Sequence, residues 1–346
     1  MDLNRAVGMV LVSLVALAGC GDGGADAPSL AGDLRAGAVP EGVTACHAKA
    51  HPQPDGSYAK LSDTGLYCDI SRGIVDQDAK AYALRYSLWA DGADKLRYLK
   101  LPSGARIDTR DMDGWIFPVG TKVWKQFSLD GVKIETRLLE KKSDGEWFMM
   151  PFAWDDAEQD AYPVPEGEQN AHGTPHDIPS TGQCQTCHGR TADVLNGVAA
   201  LELASANPRG VTLAKLVQEQ RLTDPPRSVV RFPGDPVAAK ALGYLYANCA
   251  ECHRGPEAPA GLDLSTSVED TEVETTRAYV TAVDQPLRIW VGRGYTLRID
   301  PGHPGGSAVI ARMSTRVPAN QMPKIDTEVV DEQGVQTVSD WIQTLK

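Results

Sequence analysis

Two short segments of the chain carry a residue pattern that does covalent chemistry: Cys184-Gln185-Thr186-Cys187-His188 and Cys249-Ala250-Glu251-Cys252-His253. In each, two thiols stand one helical turn apart and an imidazole follows directly. That spacing suits two thioether bonds to the vinyl groups of a haem, with His188 and His253 as ligands to the two irons. Two such matches in 346 residues are not an accident of composition. A zinc site made from the four thiolates is the sharpest rival. Three features count against it: the pairs are separated by residues 188–248, each is followed by His, and the chain reads as exported. A thioredoxin-like redox pair would account for one motif and not for both.

Export is read from the start of the chain. Ala6 to Ala18 is apolar or small throughout apart from Gly8 and Ser13, too short to span a bilayer and of the right length for the core of a signal peptide. It runs into Leu17-Ala18-Gly19-Cys20, which resembles the processing box of bacterial lipoproteins. Residues 1–19 are therefore expected to be removed, Cys20 to be the lipidation site, and residues 20–40 to be a flexible tether. The mature protein would be anchored in the bacterial cell envelope, facing the periplasm or the cell surface; a plain signal peptide is the alternative. Of seven cysteines, one lipid site and four thioether sites leave Cys46 and Cys68, which in an oxidising compartment are expected to form a disulfide, with two unpaired thiols as the alternative. His47 and His51 stand at helical spacing beside Cys46 and are a weaker metal-ligand pair.

The elements that must position these groups follow from periodicity. From Tyr58 to Val164 the pattern is strand-like: Leu96–Leu101, Gly114–Pro118, Thr121–Phe127, Val132–Leu139 and Glu146–Trp154, punctuated by turns such as Asp130-Gly131 and Ser143-Asp144-Gly145. Residues 41–165 read as an antiparallel β-domain. Residues 166–232 deliver the first motif and then show helical spacing over Ala192–Ala206 and Val211–Leu222. In 233–346, Asp235-Pro236 caps a helix that runs to Asn248 and into the second motif, and Asp331 caps another through Trp341 to Leu345. The expected fold class is α+β multidomain. With 46 acidic and 34 basic residues and a net charge of -12, the chain is a poor ligand for nucleic acid. The expected electrostatic complement is a redox partner protein with a basic docking surface.

A helix entering C-x-x-C-H, a later Met-Pro and a terminal helix bearing Trp341 together resemble the class I cytochrome c domain. The resemblance implies a mainly α C-terminal domain with His253 as proximal ligand and Met322, in Gln321-Met322-Pro323, as distal ligand of the second iron; Met313, in a helix-like run, is the competitor. The chain departs from that pattern by an insertion over 257–300, where Leu287–Val291 and Tyr295–Ile299 around Gly292-Arg293-Gly294 read as a β-hairpin. The whole arrangement also resembles a family of exported bacterial dihaem c-type cytochromes with an N-terminal β-domain. That likeness rests on Leu61-Ser62-Asp63-Thr64-Gly65-Leu66, Trp89-Ala90-Asp91-Gly92-Ala93, Phe117-Pro118-Val119-Gly120-Thr121, Glu135-Thr136-Arg137-Leu138-Leu139 and His176-Asp177-Ile178-Pro179-Ser180. More faintly, the Phe117–Thr121 segment with Lys125 and a downstream haem motif looks like the β-sheet cytochromes that oxidise hydroxylamine, whose haem is cross-linked to a lysine; an ordinary solvated strand lysine is the plainer reading.

Two covalently bound haem c groups are thus the expected cofactors, and one-electron transfer between partner proteins the expected function. The first iron leaves an alternative, because Met149, Met150, His172 or His176 could be its sixth ligand or the position could be open. An open site would suit a dihaem oxidoreductase acting on peroxide or a small nitrogen compound.

Overall fold

Alternating apolar and polar residues with tight turns between them produce the dominant element of the computed structural model, which describes residues 45–346 apart from 190, 192, 205–209 and 326. Six strands form one antiparallel meander in chain order: β3 (Lys80–Tyr82), β4 (Asp94–Lys100), β5 (Lys122–Leu129), β6 (Val132–Ser143), β7 (Glu146–Trp154) and β8 (Ala161–Pro163). Asp130 and Gly131 both adopt positive φ, 48° and 84°, as the tight turn between β5 and β6 requires. Before the meander, β1 (Tyr67–Asp69) and β2 (Ile74–Val75) make a small separate ladder. The Cys46–Cys68 disulfide, spanning 22 positions, ties the preceding chain to β1; closing a loop of that size restricts the unfolded chain by about 3 kcal/mol.

The two faces of the sheet serve different cores. Tyr98, Trp124, Leu138 and Phe152 point to one side and pack beneath Tyr58, Leu61 and Leu66. Leu99, Val123 and Leu139 point to the other and join a larger core shared with the helices. Among the described residues these helices are α1 (Thr181–His188), α2 (Ala200–Leu203), α3 (Leu213–Gln218), α4 (Pro236–Asn248), α5 (Arg277–Ala282), α6 (Ala308–Met313) and α7 (Glu332–Thr344). Asp235 accepts from the Ala238 amide at 2.9 Å at the start of α4, and Asp331 accepts from Gly334 at 2.8 Å at the start of α7. α4 and α7 pack together, and glycine makes the approach possible: a Cβ on Gly334 would stand 2.3 Å from the Tyr244 ring; on another side of α4, one on Gly243 would stand 2.1 Å from the Tyr86 ring.

Several expected elements differ. Gly114–Pro118 is not a strand; its one bridge joins Ile116 to Asp108. Among the described residues of the stretches expected to be helical, Ala192–Ala206 and Val211–Leu222, helix is confined to α2 and α3, because their apolar residues are buried on several sides and need no helix to be covered. The Leu287–Ile299 segment doubles back with Leu287 N–H donating to Thr296 at 3.0 Å and a bridge between Pro286 and Leu297, without regular strands. No described helix is long and apolar enough to cross a membrane. Cys20, the signal segment and the whole of the 20–40 tether lie outside the described residues.

Candidate functional site

α1 exists to present the first motif. It buries no residue, so apolar packing does not hold it; a capping box does, with Ser180 Oγ accepting from the Gln183 amide at 3.2 Å and Gln183 Oε1 from the Ser180 amide at 2.8 Å. Cys184 and Cys187 fall one turn apart, both half-buried, and His188 ends the helix. His188 Nδ1 donates to the Val194 carbonyl at 2.6 Å. Burial, with a smaller contribution from the charges of Lys125 and Arg137, pushes its pKa down to about 4. The imidazole is therefore neutral at pH 7, with Nε2 left as a lone-pair donor.

The loop carrying that carbonyl is fixed by Asp193, which accepts from Phe117 N–H at 2.6 Å, Lys141 Nζ at 2.9 Å and Trp147 Nε1 at 2.9 Å. Lys141 is 1% exposed, so the pair is deeply buried. Val194 itself holds φ at +69°, a conformation costly for a β-branched residue, which the loop around it must impose. Asp193 and Lys141 are functional neighbours that sequence reasoning missed: they are 52 positions apart and neither belongs to a motif.

The second motif arises differently. α4 ends at Asn248, which is buried and ties the helix to the 87–89 segment: its Oδ1 accepts from Trp89 N–H at 2.7 Å and its Nδ2 donates to Ser87 at 3.3 Å. Cys249 caps the helix, and the amides of Cys252 and His253 both bond to its carbonyl, at 3.1 and 2.8 Å, curling the motif into one more turn. His253 Nδ1 donates to the Leu262 carbonyl at 3.0 Å. Both motif histidines thus spend Nδ1 on a backbone carbonyl a few residues downstream.

The thiols do not form the zinc cluster considered above. Among the described residues, one group of three His, Cys, Asp or Glu ligand atoms falls within 4.8 Å of each other, and it is His47, Asp76 and Asp78. Burial foremost, then Cys252 and Glu251, pushes the Cys249 thiol up to about 12. His51 is not in that group, and residues 45–53 form no helix, so the His47/His51 spacing is not realised as a helical pair.

Between the motifs lies a charged layer that no local pattern announces. Register places Arg97, Lys125 and Arg137 side by side on β4, β5 and β6, facing the helices. Burial, then Arg97, Arg137 and Lys95, holds the Lys125 amine well below the ordinary lysine range; Glu251, inside the second motif, opposes that shift. Glu202 on α2 is pushed up to about 8 by burial and by Glu251. A cavity of about 320 Å³ opens beside this layer, between the loop after the first motif and the Glu251–Gly255 stretch of the second. Four buried polar atoms without a hydrogen-bond partner among the described residues belong to side chains that line it: Trp115 Nε1, Asn196 Oδ1, Arg254 Nε and Thr266 Oγ1. Three of those can donate.

The remaining candidates divide clearly. Met322 lies half-buried between α6 and α7, its amide bonded to Arg312 O at 3.0 Å, whereas Met313 is 6% exposed within the main core. Met149 packs on the helix side of the sheet and Met150 on the opposite side. His172 Nε2 donates to Trp154 O at 2.9 Å, and His176 Nε2 is bonded to Glu135 at 2.8 Å with the ring 1% exposed. No protein-family model matches the chain, and neither a curated protein nor a solved structure matches it.

Proposed function

We propose that the protein is a membrane-anchored dihaem c-type cytochrome that passes electrons between redox partners in the bacterial cell envelope. The observation that carries this reading is the shared state of His188 and His253: each donates Nδ1–H to a downstream carbonyl, which fixes the ring and leaves Nε2 for iron, next to two half-buried cysteines one turn away. The unpartnered donors Trp115 Nε1, Arg254 Nε and Thr266 Oγ1 beside both motifs fit a group that carries carboxylates, as haem does. Glu202, whose pKa burial and Glu251 push up to about 8, is one of six acids lining the same cavity, with Asp111, Asp113, Asp193, Glu251 and Asp263.

Haem bound in this way supplies an iron that alternates between ferric and ferrous states by one electron. The protein's own part is positional. Val194 and Leu262 orient the imidazoles, Asp193 and Lys141 hold the first of those loops, and α4 seats the second motif. Met322 is the proposed sixth ligand at the second site, and a class I cytochrome c-like C-terminal domain is part of the same proposal; Met313 is committed to the core. Cys20 is the proposed lipid anchor.

A second reading has its own observation. At the first site Met150 is on the far side of the sheet, and the charged row centred on Lys125 acts on His188. An iron there with an open position beside desolvated cations suits a haem oxidoreductase. Purified protein should give two haems per chain in a pyridine haemochrome assay, and Cys184→Ser/Cys187→Ser or Cys249→Ser/Cys252→Ser should leave one. Bound zinc without haem would end the cytochrome reading; high-spin ferric features from one haem of two would move it to the oxidoreductase.

A further inference from the structure

The net charge of -12 conceals a sharp local reversal. From Glu257 to Asp284 the chain carries seven acids and one base, whereas from Gln285 to Ile325 it carries six bases and one acid, Asp300. The basic stretch folds around Met322. Trp290 is the hub: its Nε1 donates to Asn320 Oδ1 at 3.0 Å, Arg312 and Arg293 lie over its ring at 5.3 and 5.6 Å, and it stacks on Tyr295. Arg312 Nε donates to Asn320 O at 3.0 Å and its own carbonyl receives the Met322 amide. The doubled-back segment 287–297 is thereby fastened to the Met322 loop.

What the pair presents to solvent is apolar and cationic together. Ile289, Val291 and Val317 are 52%, 64% and 54% exposed, and Arg288, Arg293 and Lys324 are exposed around them. Exposed β-branched residues interspersed with cationic side chains are costly to leave in water and are the usual composition of an interaction patch. Near a contact, local charge outweighs distant charge, because at physiological salt fields fade within about 8 Å.

We propose that this platform is the docking surface for an acidic electron-carrier protein, which exchanges electrons with the second haem past the Met322 loop. The proposal rests on the cytochrome reading above. The partner's complementary charge is thus opposite to what the net charge of the whole chain suggests. The chemical step is one electron leaving ferrous iron for the oxidised partner, which is reduced by one electron; no atom or proton moves.

The test uses the purified holoprotein after its two haems have been counted, so that a missing cofactor is recognised before docking is judged. Reduced protein is mixed in a stopped-flow instrument with hexacyanoferrate(III), an anion, and with tris(phenanthroline)cobalt(III), a cation. The rate with the anion should fall roughly tenfold between 10 and 200 mM salt, and the cation should show no such fall. Arg288→Glu/Arg293→Glu should reverse the salt dependence for the anion, and Arg288→Gln/Arg293→Gln should flatten it without altering the haem count. Voltammetry on a carboxylate-terminated monolayer, a stand-in for the acidic partner surface, should likewise be lost in the Glu variant. A rate with the anion that rises with salt in the unaltered protein overturns the proposal, since that is the behaviour net charge alone dictates. So does Arg288- and Arg293-dependent binding to phosphatidylglycerol vesicles combined with unchanged hexacyanoferrate kinetics, which would assign the patch to the membrane surface.

Discussion

The two Cys-x-x-Cys-His segments share a sequence and almost nothing of their support. The first sits on a helix with no buried residue, held by a capping box at one end and by a tethered loop at the other. The second directly follows a helix with eight buried residues, packed against α7 where Gly334 meets Tyr244. The same five-residue pattern can therefore be positioned by polar bonds or by apolar packing. The difference predicts which perturbations each segment tolerates.

The largest effect is expected at the polar tether. Asp193→Asn leaves Lys141 buried without its counter-charge, a change that typically costs about 3–5 kcal/mol. Because Val194 moves with Asp193, His188 should lose its orientation, and urea melts with haem counts should show a destabilised protein that keeps the second haem. Equal loss of both haems would mean that the two segments are not supported independently.

The junction between the two segments should respond to pH. Glu202 has its folded pKa raised to about 8 from an ordinary 4.5, so the folded state keeps a proton that the unfolded chain releases. Its contribution is present in full below pH 4.5 and is lost as pH rises towards 8, on the order of 3 kcal/mol between pH 5 and pH 8. Glu202→Gln should flatten that slope in denaturant melts at the two pH values. An unchanged slope would place the titration on another group.

Packing changes come next. Gly243→Ala drives a methyl group into Tyr86 and should cost about 1–3 kcal/mol, read as a lower melting temperature. Gly182→Ala on α1 is the matched control, since its Cβ would meet nothing nearer than Ser180 Oγ at 3.9 Å; it should stay within about 0.5 kcal/mol of the parent. The smallest effect is Ser180→Ala, about 1 kcal/mol or less from loss of the cap. It should appear chiefly as lower occupancy of the first haem in haem-limited cultures, with the second unaffected.

Local signals made much of this legible. Period-two alternation marked β5, β6 and β7 because each lies between two cores, and Asp235-Pro236 and Asp331 marked α4 and α7 because their side chains satisfy the first free amides. The motif cysteines and histidines were readable from spacing alone. The Arg97–Lys125–Arg137 row was not, since it exists only once three strands are in register. Nor was the irregular path of residues 193–199, where Asp193 bonds to groups far away in the chain and the apolar residues around it gave a false helical rhythm.

The margins of the meander carry a separate consequence. Beyond β3, Val211 N–H donates to Ala81 O at 2.8 Å and forms a parallel bridge to Tyr82, so the segment after the first motif returns to cover that side. At the other margin β8 is three residues long, ends in Pro163, which has no N–H to offer, and lies against the Leu61–Thr64 turn. A strand from another molecule would find little ladder to extend on either side. If the proposed lipid anchor crowds many copies onto one surface, that geometry guards against intermolecular β-pairing, and removing the cover by deleting residues 210–212 should increase concentration-dependent aggregation, read by light scattering.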